Sequence, residues 1–125
     1  VRRKRLRVDS GGPGTFRGGL GQEIELELDT DQPARLSLLS DRHQNPASGL
    51  LGGLPGGPSV ITFGDGTKPH PKSRTSIGSR QSVLLLYAGG GGYGDPKARP
   101  REAVKEDLRH GYISAEAAKT IYGVE

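Results

Sequence analysis

Glu23-Ile24-Glu25-Leu26-Glu27-Leu28-Asp29 alternates acidic and aliphatic residues without a break. A period of two puts Ile24, Leu26 and Leu28 on one face of an extended chain and the four acids on the other, which predicts a half-buried antiparallel strand. Upstream, Arg3-Lys4-Arg5-Leu6-Arg7-Val8 carries the opposite charge, with Arg3, Arg5 and Arg7 sharing one face. The two segments are expected to pair. Opposed charges across strands add roughly 0.2–1 kcal/mol per pair, less when exposed, and the repeated match also specifies register. This assigns the basic run Arg2 to Arg7 to internal pairing. The rival, a nucleic-acid-binding module, calls for aromatic stacking, and the chain offers 2 Phe and 4 Tyr.

Working outward, Ser10-Gly11-Gly12-Pro13-Gly14-Thr15-Phe16-Arg17-Gly18-Gly19-Leu20-Gly21 is too glycine-rich for regular structure and too long for a tight hairpin, so a shaped loop is expected. Further strands are predicted at Ala34 to Leu39, Ser59 to Phe63 and Ser82 to Tyr87, the last an apolar run suited to burial on both faces. After Gly94 the character changes. Pro100 can open a helix with Ala103, Val104 and Leu108 spaced for one apolar stripe and Gly111 as its stop. A second helix is predicted from Ser114 as N-cap through Ala117, Ala118 and Ile121 to Gly123. The fold class that follows is mainly β: an antiparallel, sandwich- or barrel-like sheet with glycine-rich loops over residues 1–95. A short helical pair over 96–125 packs on it, as one domain with a single modest core.

Composition narrows the chemistry. The 125 residues include 21 Gly and 9 Pro, which marks a lean, loop-rich domain. With no Cys, Met or Trp and 3 His, thiolate chemistry, zinc clusters, disulfide scaffolds and haem–thiolate sites are outside its reach, and no metal site is expected within the chain. Lys and Arg number 18 against 14 acids, a net +4 concentrated at the N-terminus, so the remainder is close to neutral. No apolar run approaches the roughly 18 residues of a membrane span, and Val1-Arg2-Arg3-Lys4-Arg5 lacks the apolar region of a signal peptide. A soluble, cytoplasmic chain with neither membrane nor nucleic-acid partner is expected. Its start at Val1, inside a strand-like segment, suits a piece of something longer.

Four segments could carry chemistry. Around Arg17, Gly18 and Gly19, backbone amides and a guanidinium could hold an anion, or the loop could simply pack; the spacing fits neither a P-loop nor a dinucleotide fingerprint. Asp41, Arg42 and His43 follow the predicted strand near Leu38 and combine proton transfer with charge stabilisation, although neighbours on a strand point to opposite sides and an Asp–Arg pair closing the loop is the simpler alternative. His43 has no second metal ligand in view, with His70 and His110 in unrelated contexts. Gly49-Leu50-Leu51-Gly52-Gly53-Leu54-Pro55-Gly56-Gly57-Pro58 interleaves glycine with leucine, so Leu50, Leu51 and Leu54 form either an interface or internal packing. Finally, Gly89-Gly90-Gly91-Gly92-Tyr93-Gly94-Asp95-Pro96 is costly to order, so it is either held in place or needed for its mobility.

Taken in order, these segments resemble the C-terminal end of the hydantoinase B/oxoprolinase family. The resemblance rests on Asp9 to Gly14, Phe16 to Gly21, Leu38 to Arg42, Gly49 to Gly53 with Pro55-Gly56, Gly89 to Pro96, Glu102-Ala103-Val104, Ser114 to Ala118 and Tyr122-Gly123-Val124. Tyr87-Ala88 departs from the Thr-Pro type of pair expected before the four glycines. The resemblance implies the C-terminal part of an N-methylhydantoinase B-type subunit in a hetero-oligomer with the remainder of that subunit and a hydantoinase A-type subunit. In such a complex the A-type subunit phosphorylates a cyclic amide with ATP and Mg, and the B-type subunit handles the activated intermediate. A ketone carboxylase of the acetone or acetophenone type and a non-catalytic assembly module are the alternatives. No cofactor is expected on this chain alone, and the family's divalent metal residues are expected outside this segment. Asp41, Arg42 and Arg17 match motif positions and are the implied contacts to substrate, phosphate or a neighbouring domain.

Overall fold

The structure, a computed structural model, describes residues 1–125. Six strands and two helices follow one another: β1 Arg3–Leu6, β2 Gln22–Glu27, β3 Ala34–Leu39, β4 Val60–Phe63, β5 Lys72–Ile77, β6 Ser82–Leu86, α1 Arg101–Arg109 and α2 Ala115–Thr120, with a 3-10 turn at Pro96–Ala98 before α1. The fold is mainly β with a short C-terminal helical pair. A four-stranded antiparallel sheet runs β1-β2-β6-β4, and β3 and β5 form a separate two-stranded ribbon.

β1 and β2 pair antiparallel as expected, with opposite charges matched: Arg3 lies opposite Glu25 and Arg5 opposite Glu23. Arg3 reaches Glu23 at 2.8 Å and Glu25 at 3.4 Å, Arg5 reaches Glu23 at 3.0 Å, and Arg2 pairs with Glu27. Arg2, Arg3 and Arg5 are thus engaged by the acidic strand, whereas Arg7 donates to the backbone carbonyls of Pro58 and Tyr87. β6 lies between β2 and β4, as its apolar sequence demands, yet only Val83 is buried while Leu84, Leu85 and Leu86 are half-buried. The expected burial on both faces fails because the face carrying Leu84 also carries the acids and arginines of β1 and β2. Ion pairs cover that side in place of a second layer.

The opposite face packs on the ribbon. Ile61 and Phe63 of β4, Ile77 of β5 and Val83 of β6 are buried, with Leu28, Ala34, Leu36, Leu38 and Leu85 against them. Strand β5, Lys72-Ser73-Arg74-Thr75-Ser76-Ile77, lies outside the predicted strands. Its inward face is Ser73, Thr75 and Ile77, so hydroxyl side chains conceal the period from a hydropathy reading. Paired only with each other, β3 and β5 would be unstable as an isolated ribbon, and the apolar face of the larger sheet supplies the missing layer.

A second cluster, Val104, Ile113, Ala117, Ala118, Tyr122 and Val124, belongs to the helical tail. The single core expected for this length is therefore divided into two, separated by the glycine segments. α1 follows Pro100 directly, and Gly111 just beyond it takes φ +69°. α2 is capped by Ser114, whose hydroxyl accepts the Ala117 N–H at 3.1 Å, and Gly123 takes φ +70° beyond its end. The predicted stripe on α1 differs in one place: Leu108 is exposed, and Asp107 is buried beside Val104.

Candidate functional site

Between the two cores, the segments 10–21, 47–57 and 88–94 lie backbone against backbone. The N–H of Gly12 donates to Gly90 at 2.8 Å, Leu54 to Pro13 at 2.7 Å, Gly57 to Ser10 at 2.8 Å, Leu50 to Gly92 at 3.0 Å and Gly90 to Gly19 at 2.9 Å. The four-glycine run is thus held in place, at the centre of this layer. A Cβ on Gly91 would fall on the Ser48 carbonyl oxygen, and one on Gly18 on that of Gly90, so side chains are excluded there by close approach. Gly19, by contrast, would meet nothing within 4 Å.

Arg17 projects from this layer into the tail. Its Nε donates to one carboxylate oxygen of Asp107 at 3.0 Å and its second terminal nitrogen to the other at 3.1 Å, while the first donates to the Gly18 carbonyl at 2.8 Å. Its guanidinium also lies 5.5 Å from the centre of the Tyr112 ring. Arg99 brings a second guanidinium to Asp107 at 2.8 Å and donates to the Thr15 carbonyl at 3.0 Å. These three charged side chains, Arg17, Arg99 and Asp107, are 14%, 14% and 8% exposed, so the cluster is the joint between layer and tail. Asp9 adds a second joint, its carboxylate accepting the Ser114 N–H at 2.8 Å. Nothing in the sequence spacing announces a partnership between Arg17 and Asp107.

Asp41, Arg42 and His43 do share one place. β3 ends opposite the start of β5, with Leu39 across from Lys72 and the Ser40 N–H donating to Pro71 at 3.0 Å. The two strand ends therefore open a pocket of about 330 Å³ lined by Ser40, Asp41, Arg42, His43, Gln44, Asn45, His70, Pro71 and Lys72. His70 and Lys72 come from the unpredicted strand region, which corrects the reading of His70 as unrelated to His43. Asp41 pairs with Lys72 at 2.8 Å and makes no bridge to Arg42, so the simple Asp–Arg closure is replaced by a cross-strand pair. His43 meets the Ser40 hydroxyl at 3.0 Å. Arg42 sits at φ +66°, a costly region for a side-chain-bearing residue, and its carbonyl accepts the N–H of buried Ser59 at 2.9 Å, which holds it there.

Leu50, Leu51 and Leu54 are 62%, 69% and 41% exposed, and Phe16 and Tyr93 join them at 67% and 46%. Tyr93 is bridged to both Phe16 and Leu50, and the Phe16 and Tyr93 rings lie 6.2 Å apart. Phe16, Tyr93 and Leu50 thus form an exposed apolar group on the glycine layer, and Leu51 and Leu54 are exposed along the same leucine segment.

The family model for hydantoinase B/oxoprolinase matches residues 1–96. The chain belongs to the hydantoinase B/oxoprolinase family. Within it, the chain is 33% identical to the beta subunit of the caprolactamase of Pseudomonas jessenii over 99% of its own length and 22% of the relative's. It is 30% identical to the B subunit of a putative D-/L-hydantoinase of Pseudomonas sp. (strain NS671), again over 99% of this chain and 22% of the relative. The crystal structure of the ATP-dependent caprolactamase from Pseudomonas jessenii superposes with a TM-score of 0.79 at 30% identity, covering 100% of this chain and 23% of that one. This member therefore spans about a fifth of the length of these relatives.

The Asp41–Lys72 pair makes a prediction of its own. The hydrogen bond from the Lys72 ammonium and its charge, aided by Arg42 and His43, hold the Asp41 carboxyl below the ordinary 3.8. A carboxyl whose folded pKa is depressed stabilises the fold above its unfolded pKa, and that contribution is lost as pH falls through the folded value. In a side-chain carboxyl NMR titration Asp41 is expected to titrate below 3.8, and Lys72→Met to move it back up. An unchanged midpoint in the variant would remove the pair.

Proposed function

We propose that this chain is the C-terminal part of a B-type subunit that, with the remainder of that subunit and an A-type subunit, hydrolyses a cyclic amide after its ATP-dependent phosphorylation. The carrying observation is the superposition over the whole chain on an ATP-dependent caprolactamase, at an identity shared with a putative hydantoinase. In this reading the glycine layer is scaffolding. Its exposed Phe16, Tyr93 and Leu50, with Leu51 and Leu54 of the same leucine segment, dock on the remainder of the complex, since exposed apolar side chains gain when covered. Asp41, Arg42 and His43 face the reacting partner from the strand-end pocket, while Arg17 serves the joint with the tail.

ATP with Mg would then act on the A-type side, and this chain's contribution is to present and position. The test is isolation of the native complex with mass-spectrometric identification of its chains, followed by assay of ADP release with caprolactam, hydantoin and 5-oxoproline. Co-purification of A-type and B-type polypeptides and ATP turnover that depends on one of these cyclic amides are expected. Turnover that instead needs a ketone and bicarbonate, or purification of the chain alone, would overturn the proposal.

A further inference from the structure

We propose that the pocket between the ends of β3 and β5 is a binding site for a phosphoryl-type oxyanion, with Arg42 as its principal charged contact and Lys72, His43 and His70 around it. The inference rests on the function proposed above only for the source of the anion, a phosphorylated intermediate; the site itself is argued from its own chemistry. None of the nine lining residues is a large apolar one, which makes it a place for a hydrated polar group. Arg42 and Lys72 against Asp41 leave one net positive charge even with both imidazoles neutral.

The charges are not equivalent. Lys72 and Asp41 satisfy each other at 2.8 Å, whereas the Arg42 guanidinium makes no ion pair or hydrogen bond within the chain. A planar guanidinium with its donors free offers paired N–H bonds to two oxygens of one phosphoryl group, a geometry an ammonium does not provide. The backbone at Arg42 is held in the left-handed region by the Ser59 N–H, and the Ser59 hydroxyl in turn accepts the Ala88 N–H at 3.2 Å. The residue is thus fixed from the glycine layer rather than left on a free loop. His70 Nδ1 lies 3.2 Å from the Lys72 backbone nitrogen and 3.1 Å from the Lys72 carbonyl oxygen, so the ring is oriented in either protonation state and keeps Nε2 for a ligand. His43 uses Nε2 on Ser40 and keeps Nδ1.

Inorganic phosphate titrated into the full chain at physiological ionic strength, followed by amide and imidazole NMR shifts, tests this. ATP and acetate serve as parallel probes. Phosphate is expected to shift Arg42, His43, His70 and Lys72 together, acetate to bind more weakly, and Arg42→Gln to weaken phosphate about tenfold, as expected for loss of a charge-assisted contact. Tighter binding of ATP than of phosphate, still dependent on Arg42, would assign the phosphoryl group to the nucleotide in place of the intermediate. Equal binding by Arg42→Gln, equal affinity for acetate, or shifts confined to the N-terminal arginines would overturn the site. If phosphate does not bind while the native complex still couples ATP to cyclic-amide hydrolysis, this inference falls and the proposed function stands; the reverse result separates them the other way.

Discussion

Gly18→Ala is expected to destabilise the chain by about 3 kcal/mol or more, whereas Gly19→Ala, one residue on, is expected to leave stability unchanged or raise it by up to about 1 kcal/mol. The contrast comes from what each Cβ would meet. At Gly18 it would be driven into the Gly90 carbonyl, which accepts the Gly12 N–H, and lie 2.7 Å from the Gly91 oxygen, both of them backbone atoms of the packed layer. Neither chain can yield without breaking bonds such as the one from the Gly90 N–H to the Gly19 carbonyl. At Gly19 there is open space and no positive φ, so alanine only removes freedom from the unfolded chain. Because small domains hold only about 5–15 kcal/mol in total, the first loss is a large share of it. Urea denaturation midpoints of the two variants measure this. Equal midpoints would mean that the glycine segments do not pack backbone to backbone.

Asp107→Ala is expected to cost about 3–5 kcal/mol and to release the helical tail. Its carboxylate is the shared partner of two guanidiniums that are each 14% exposed, so removal leaves two positive charges close together with no counter-ion. Asp107→Asn keeps the shape and one acceptor oxygen and should fall between alanine and the native residue. Beyond the drop in denaturation midpoint, trypsin should cut at Arg101 and Lys105 in the alanine variant before it cuts the sheet, since Arg17 and Arg99 tie the tail to the layer through this carboxylate. Native-like midpoints with an unchanged cleavage pattern would show that Val104 and the rest of the tail cluster hold it without the charges.

Local pattern made several elements legible. The alternation at Glu23 to Asp29 and its basic counterpart at Arg3 to Arg7 make two strands and their antiparallel pairing legible, because period-two faces and opposite charges are encoded in adjacent residues; which arginine meets which acid is settled by the structure, with Arg3 opposite Glu25. Ser114 and Gly123 marked α2 for the same reason: caps act over three or four residues. β5 escaped because its inner face is Ser73 and Thr75, and with it went His70 and Lys72 of the candidate pocket. Helical spacing alone puts Leu108 on the buried stripe, but Asp107 takes that face because Arg17, 90 residues away, and Arg99, just before the helix, both meet it.

By itself, then, the sequence determined the mainly β class, the helical pair, the β1–β2 pairing and the resemblance carried by the order of its glycine motifs. Only the tertiary structure decided that the four glycines are held and not mobile, that the core is double, that Arg17 belongs to Asp107, and that Arg42 is left free beside His43, His70 and Lys72. The physical reason is range. Strand faces, caps and charge alternation arise between residues a few positions apart, whereas close backbone packing, ion pairs across 90 residues and pockets between strand ends arise from contacts that no local period records.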